Sequence, residues 1–178
     1  MNATIRRARP EDAALVRTLV GELADHQDEG RYVTSTVDRW QELLAEDAVI
    51  VLLAQYDSEP AGYVSAVRRL HLWSGTDVLG LDDLYVREAF RSKGIGRLLM
   101  LELARVALPE RLTISWGMRP SNHGGQRFYR RLGAILGDKV VARWPAEAYS
   151  RQLTDESAAT GKAALADEAA LADKGGVG

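Results

Sequence analysis

The chain has 178 residues, 46% of them hydrophobic, which suits one globular domain with a sizeable core and leaves no room for a second full domain. A formal net charge of −2 excludes a general attraction to nucleic acid or to an anionic membrane surface. The lack of cysteine excludes disulfides, thiolate metal sites and a cysteine nucleophile, while the absence of a signal-peptide core or a long apolar run makes a cytoplasmic protein the default expectation.

Thr4 to Ala8 predicts a first strand. Arg9-Pro10-Glu11-Asp12 then puts proline in a first helical turn with acids beside the positive helix end, and Leu15, Val16, Leu19, Val20 and Leu23 mark one face of a helix. Asp25 to Tyr32 interrupts that pattern before Thr34, Ser35 or Thr36 caps a second helix carrying Val37, Trp40, Leu43 and Leu44. Ala48 to Gln55 is an apolar run of strand length, Asp57-Ser58-Glu59-Pro60 is turn chemistry, and Ala61 to about Leu70 predicts the returning strand of a hairpin. Arg68, Arg69, His71 and Trp73 at its far end are candidates to line a pocket for a carboxylate or an aromatic group, with ordinary surface arginines as the plainer explanation.

Val78 to Val86 predicts the central strand. Alternation places Asp82, Leu84 and Val86 on one face and Leu81, Asp83 and Tyr85 on the other. Adjacent carboxylates there require a polar cleft or bonding partners, because an unpaired buried charge is costly. From Ile95, the residues Leu98, Leu99, Leu103 and Val106 recur at helical offsets, so the loop Arg91-Ser92-Lys93-Gly94-Ile95-Gly96-Arg97 joins this strand to a helix. Free N–H groups and the dipole at a helix start attract phosphate, glycines allow close approach, and the three basic residues add charge. A Walker A loop is absent, and Leu99 stands where a dinucleotide fingerprint needs its third glycine. By spacing alone, the segment also fits a basic turn between a strand and a helix.

Pro109 ends that helix near Leu108, Arg111 to Trp116 alternates as a strand, and Ser121 or Asn122 opens a helix running to Leu132 with Gly133 as its stop. Ala134 to Trp144 predicts a last hairpin turning at Gly137-Asp138. Residues 151–178 are rich in alanine, aspartate, lysine and glycine, with an apolar stripe too small to bury much, and read as a frayed or weakly helical tail.

Arg91-Ser92-Lys93-Gly94-Ile95-Gly96 resembles the Arg/Gln-x-x-Gly-x-Gly/Ala loop of the Gcn5-related N-acetyltransferases, the GNAT superfamily, and the Asn122 and Phe128-Tyr129-x-x-Leu132-Gly133 pattern resembles that family's later motif. The likeness runs from about Thr4 to Trp144. It implies a mixed α/β fold, a mostly antiparallel sheet of six or seven strands with helices on both faces, in a domain spanning 1–150. It also implies acetyl-CoA as cosubstrate, with no metal. The pyrophosphate would lie on Arg91, Ser92, Lys93, Gly94, Ile95, Gly96 and Arg97, and the pantetheine arm along the backbone of Leu84, Tyr85 and Val86. Asn122 and Phe128 would border the cofactor, although Phe128 by itself reads first as a core residue.

By the same resemblance, Tyr129 would protonate the leaving thiolate and Asp82 would take the amine proton through water. Asp82 matches the polyamine-acetyltransferase subgroup's acid, placed before Asp83-Leu84-Tyr85-Val86, except that the subgroup has glutamate. A structural role for Asp82, a packing role for Tyr129 and His123 as the base are the alternatives. The Asp25–Tyr32 region would close over the acceptor, with Asp25, His26, Asp28, Glu29 and Tyr32 as contact candidates. The implied function is acetylation of a primary amine on a small molecule such as a polyamine or amino acid. Acetylation of protein N-termini or lysines, or acyl-CoA sensing without catalysis, are the other readings. Dimers are frequent in the family, so a homodimer is one expected assembly.

Overall fold

The predicted hairpin forms around Asp57 and Ser58. In the computed structural model, which describes residues 3–154 and 156, β1 (Ala3–Arg7) is followed by α1 (Ala13–His26), α2 (Val37–Ala45), β2 (Val49–Tyr56) and β3 (Glu59–His71). Tyr56 pairs with Glu59, so only two residues make the β2–β3 loop, with φ of 47° at Asp57 and 71° at Ser58. Two left-handed residues are what a tight two-residue hairpin loop needs. Then come β4 (Thr76–Val86), α3 (Ile95–Ala107), β5 (Thr113–Ser115) and α4 (His123–Arg131).

The strands form one sheet in sequence order, antiparallel from β1 to β4 and parallel between β4 and β5. Five strands are present among the described residues, fewer than the six or seven expected. The missing pair is the hairpin predicted over Ala134–Trp144: residues 134–145 contain no strand, and Ile135 and Val140 are more than nine-tenths exposed. A lone hairpin is marginal in water without a sheet or helix to cover its apolar face. Ile135 begins a second compact unit. Within it residues 146–154 are helical, and the Trp144 and Tyr149 rings meet edge-on at 5.8 Å. Of the tail expected over 151–178, all but residues 151–154 and 156 lies outside the described residues.

Within the unit that ends at Ala134, the sheet is covered on both faces. On one face, Ile95, Leu99, Met100 and Leu103 of α3 bury against Leu52, Val64, Leu79 and Leu81, with Tyr129 of α4 in the same cluster. On the other, Val16 and Leu19 of α1 and Leu44 of α2 bury against Val51, Leu53, Tyr63 and Tyr85. The α2 start is capped as expected, with the Thr36 side chain accepting from the Arg39 N–H.

One sequence expectation fails inside β4. Ser65 pairs with Asp83 and Ala66 with Leu81, so Asp82 is an extra residue that bulges out of the ladder. Strict alternation is lost there. Leu81 therefore shares the α3 face with Leu84 and Val86, whereas Asp83 joins Tyr85 on the α1 face.

The α1 face is pinned by charge. Arg87 makes two bonds to Glu22, 2.8 Å from Nε and 2.6 Å from Nη2, and a third from Nη1 to the Pro60 carbonyl at 2.8 Å. The Arg87 guanidinium holds the Glu22 carboxyl below its ordinary value of 4.5, against an opposing effect of burial. A depressed carboxyl stabilises the fold fully above its unfolded value, and that stabilisation is lost as pH falls through the folded one. Glu22→Gln is expected to lower unfolding free energy by about 1–2 kcal/mol at pH 7. In urea titrations the deficit relative to wild type should shrink once pH drops below 4.5.

Candidate active site

The cleft begins where β5 leaves β4. Their pairing covers only Val78–Gly80 against Thr113–Ser115, so beyond Gly80 no described strand continues on that side of β4. The unpaired stretch contains Leu84, Tyr85 and Val86, whose backbone was expected to receive the pantetheine arm. The Tyr85 side chain turns away from it, toward Glu22 of α1, at 3.4 Å from its hydroxyl. The Val86 carbonyl accepts from Arg91 Nε at 3.1 Å, which ties the following loop back to the strand end.

That loop leaves backbone donors and cations open. A single 3₁₀ turn over Glu88–Phe90 leads into Ser92, with φ of 62°, and Gly94, with φ of 79°, which is the N-cap of α3 and supplies no side-chain cap. The first-turn N–H groups of α3 are thus left to solvent or a ligand. A left-handed φ is readily adopted only by glycine, which explains Gly94. Arg91, Ser92, Lys93 and Arg97 are all exposed around it, and Ile95 is buried as the first core residue of α3. The Lys93 ammonium lies over the rings of Tyr56 at 4.5 Å and Phe90 at 5.2 Å.

Three of the expected cofactor positions converge here. A Cβ at Gly96 would lie 3.6 Å from the Phe128 ring and 3.8 Å from Val86 Cγ2, so β4, α3 and α4 meet at the glycine. Unpaired strand edge, uncapped helix start, surrounding cations and a small-residue crossing together suit an extended, phosphate-bearing ligand.

Tyr129 lies on the buried side of α4, its ring 4.6 Å from Trp116 and 5.0 Å from Phe128. Burial raises its hydroxyl above the ordinary value of 10, so it keeps its proton at neutral pH. The two carboxylates of β4 differ sharply. Asp83 faces the Tyr63 hydroxyl at 3.1 Å and the Ser65 hydroxyl at 3.4 Å, both donating to it. Burial raises the Asp83 carboxyl, and these two bonds oppose the rise. Asp82, on the bulge, is exposed and accepts no side-chain hydrogen bond among the described residues. Burial of part of the group and the neighbouring Asp83 charge raise it as well, while Arg69 pulls the other way.

Other candidates are dispersed or already occupied. Arg68 is bound to both Asp77 and Glu110, so it is not open to a substrate carboxylate. His71 contacts Ser74 at 3.2 Å, and Trp73 is almost fully exposed at the β3–β4 turn. The pairing of Arg68 and the exposure of Trp73 agree with the plainer explanation, ordinary surface arginines at a strand end. In the α1–α2 loop, Glu29 pairs with Arg119, which precedes α4, a contact across 90 residues that sequence spacing did not reveal. Asp25, His26 and Asp28 lie at the end of α1 or just beyond it. Tyr32 is exposed with Arg31 stacked over its ring. His123, the first residue of α4, is exposed. Among the described residues no group of three or more His, Asp or Glu is arranged to hold a metal.

Comparison with known proteins places the chain in a family. Residues 17–134 match the family model described as "Acetyltransferase (GNAT) family". A thialysine N-epsilon-acetyltransferase from Caenorhabditis elegans is 26% identical over 72% of this chain and 80% of its own length. An aminoglycoside acetyltransferase from an uncultured soil metagenomic sample superimposes with a TM-score of 0.73 at 19% identity, covering 82% of this chain and 99% of that one. An aminoglycoside N-acetyltransferase in complex with CoA gives a TM-score of 0.67 at 20% identity, over 82% of this chain and 95% of that one.

The start of α4 offers a direct test of the site's scaffold. The Asn122 side chain accepts from the Gly125 N–H at 2.8 Å and caps the helix that carries Phe128 and Tyr129. A Cβ at Gly125 would lie only 2.7 to 2.9 Å from the Asn122 amide, so alanine there must displace the cap. Asn122→Ala and Gly125→Ala should each cost about 1 kcal/mol of stability in urea unfolding. The double variant should cost little more than either alone, because both remove one interaction.

Proposed function

The chain belongs to the acetyltransferase (GNAT) family, and we propose that it moves an acetyl group from acetyl-CoA to a primary amine of a small molecule, by direct attack in a ternary complex. The observation that carries the proposal is the departure of β5 from β4 after Gly80. It leaves a strand edge running from the bulged Asp82 to the uncapped helix start at Gly94.

Acetyl-CoA, when bound, supplies an activated thioester carbonyl. The uncapped N–H groups of α3, with Arg91, Lys93 and Arg97, hold its phosphates, with Ser92, Gly94, Ile95 and Gly96 shaping the loop. The backbone of Leu84, Tyr85 and Val86 holds the pantetheine arm, and Asn122 and Phe128 border it. A strand N–H stabilises developing negative charge on the carbonyl oxygen. Tyr129, kept neutral by burial, gives its proton to the departing sulfur. Asp82 accepts the amine proton through water. Its raised carboxyl brings it nearer to the operating pH, and it lacks the hydroxyl partners that occupy Asp83.

The acceptor reading leans toward a cationic amine. Asp25 and Asp28 lie at the end of α1 and just beyond it, with Glu29 beside them held by Arg119, while the engagement of Arg68 removes a candidate for an amino acid's carboxylate. The relatives' names, which specify thialysine and aminoglycosides, support an amine acceptor. In this proposal residues 1–150 are the catalytic domain, 151–178 a tail, the compartment is the cytoplasm and the assembly a homodimer. No described helix is long and apolar enough to cross a membrane.

Thiol release from acetyl-CoA, measured across polyamines, amino acids, aminoglycosides and short peptides, tests the proposal: turnover on a small amine supports it, and turnover confined to peptides replaces it with a protein acceptor. Tyr129→Phe should lower kcat by about 100-fold or more. Unchanged kcat would remove Tyr129 as the acid. For Asp82 the carboxylate must be ionised to accept a proton, so kcat/KM should fall as pH drops through a value above the ordinary 3.8. Asp82→Asn should abolish that limb of the profile.

A further inference from the structure

Trp116 is the first residue after β5, one step past Gly80–Ser115, the last pair between the parallel strands. Its ring packs on the α3 face with the cluster containing Leu84, Val86 and Phe128, and lies 4.6 Å from the Tyr129 ring at an interplanar angle of 49°. Its indole nitrogen is the one buried side-chain N or O among the described residues with no hydrogen-bond partner. Leaving a buried donor unmatched costs about 1–3 kcal/mol, and roughly nine in ten buried polar groups of native proteins are matched.

The fold satisfies another partly enclosed indole without difficulty, since Trp40 Nε1 donates to Ser35 Oγ at 3.0 Å. Phenylalanine at position 116 would fill much of the same space against Tyr129 and bury no donor. An indole N–H can only donate, so it calls for an oxygen acceptor. Phosphate oxygens are poorly placed for this role. Trp116 follows the Gly80–Ser115 pair and its ring touches Tyr129, the residue the proposed function sets at the thioester sulfur. The acceptor at the vertex of the cleft therefore belongs to the acyl end of the donor molecule.

Resting on the acyl-CoA reading of the cleft, we infer that the Trp116 indole N–H donates a hydrogen bond to a carbonyl oxygen of the acyl-pantetheine unit, either the thioester or the adjoining amide. Trp116 is then a donor-binding residue that also braces Tyr129 through ring contact.

The test is nuclear magnetic resonance of the full chain with ¹⁵N-labelled tryptophan. The chain has four indole N–H groups, and the Trp116 signal is assigned by through-bond experiments and by its loss in Trp116→Phe. Saturating acetyl-CoA should move that proton resonance downfield, and Trp116→Phe should raise the dissociation constant of acetyl-CoA about tenfold. A shift with acetyl-CoA but not with CoA assigns the thioester oxygen; a shift with both assigns the amide. Binding of acetyl-CoA with the Trp116 resonance unmoved overturns the inference while leaving the proposed function intact. Failure of wild-type protein to bind acetyl-CoA at all overturns both. If Trp116→Phe does not fold, the wild-type resonance still decides.

Discussion

The proposed site depends on one unsatisfied requirement: among the described residues, the backbone of β4 beyond Gly80 has no strand beside it where β5 should continue. Buried N–H and C=O groups are almost always paired, so a half-paired central strand places hydrogen-bonding capacity inside the molecule where an extended ligand can take it up. The cause is local to β5. After only three residues the chain turns away through Gly117 and Pro120 toward α4, while β4 runs on to Val86. The candidate groups distribute along this edge: Trp116 at the vertex, Asp82 on the bulge, and Arg91 and Gly94 at the far end. Tyr129 is brought in by the helix that follows β5.

Such an edge stays open only if the rest of the strand is held firmly. The opposite side of β4 is paired with β3 from Thr76 to Val86 apart from the bulge at Asp82, and the α1 face carries the polar locks. Arg87 bridges Glu22 and the Pro60 carbonyl at the strand's end, and Asp83 is tied to Tyr63 and Ser65 in its middle. These bonds also separate the roles of two adjacent carboxylates. Asp82 bulges out of the ladder and is exposed without a hydroxyl partner, whereas Asp83 turns to the Tyr63 and Ser65 hydroxyls on the α1 face. The α1–α2 loop is joined to the segment before α4 by Glu29 and Arg119, an exposed pair whose worth in water is small and whose effect is on loop placement.

Much of the fold was legible because its signals are local. Of the α3 stripe, Ile95, Leu99 and Leu103 are buried as their spacing implied while Val106 is exposed, Asn122 caps α4, and the turn expected over 57–60 forms but is confined to Asp57 and Ser58. Each of these is decided by residues within one turn of helix or one hairpin. The hairpin expected over Ala134–Trp144 shows the opposite case. Its apolar residues and Gly137-Asp138 turn satisfy the local rules, yet a strand pair needs a surface to cover it, and residues 134–145 adopt no strand. The surface role read first for Arg68 gains its partners only from the fold, since they are Asp77 across the hairpin and Glu110 much later in the chain.

By itself, then, the sequence determined the family likeness, the glycine-bearing loop at a helix start, the order of strands and helices, and the presence of Tyr129 on the later motif. Those features reside in short-range chemistry: backbone freedom at Gly94, periodicity, capping and turn residues. Only the tertiary structure decided that Asp82 bulges while Asp83 is bound, that Arg68 is occupied, that Glu29 reaches Arg119, and that the half-buried Trp116 packs on Tyr129 with its indole nitrogen buried and unpartnered. Each depends on contacts between segments far apart in the chain. Their register is fixed by how strands pair and helices pack, which no local pattern encodes.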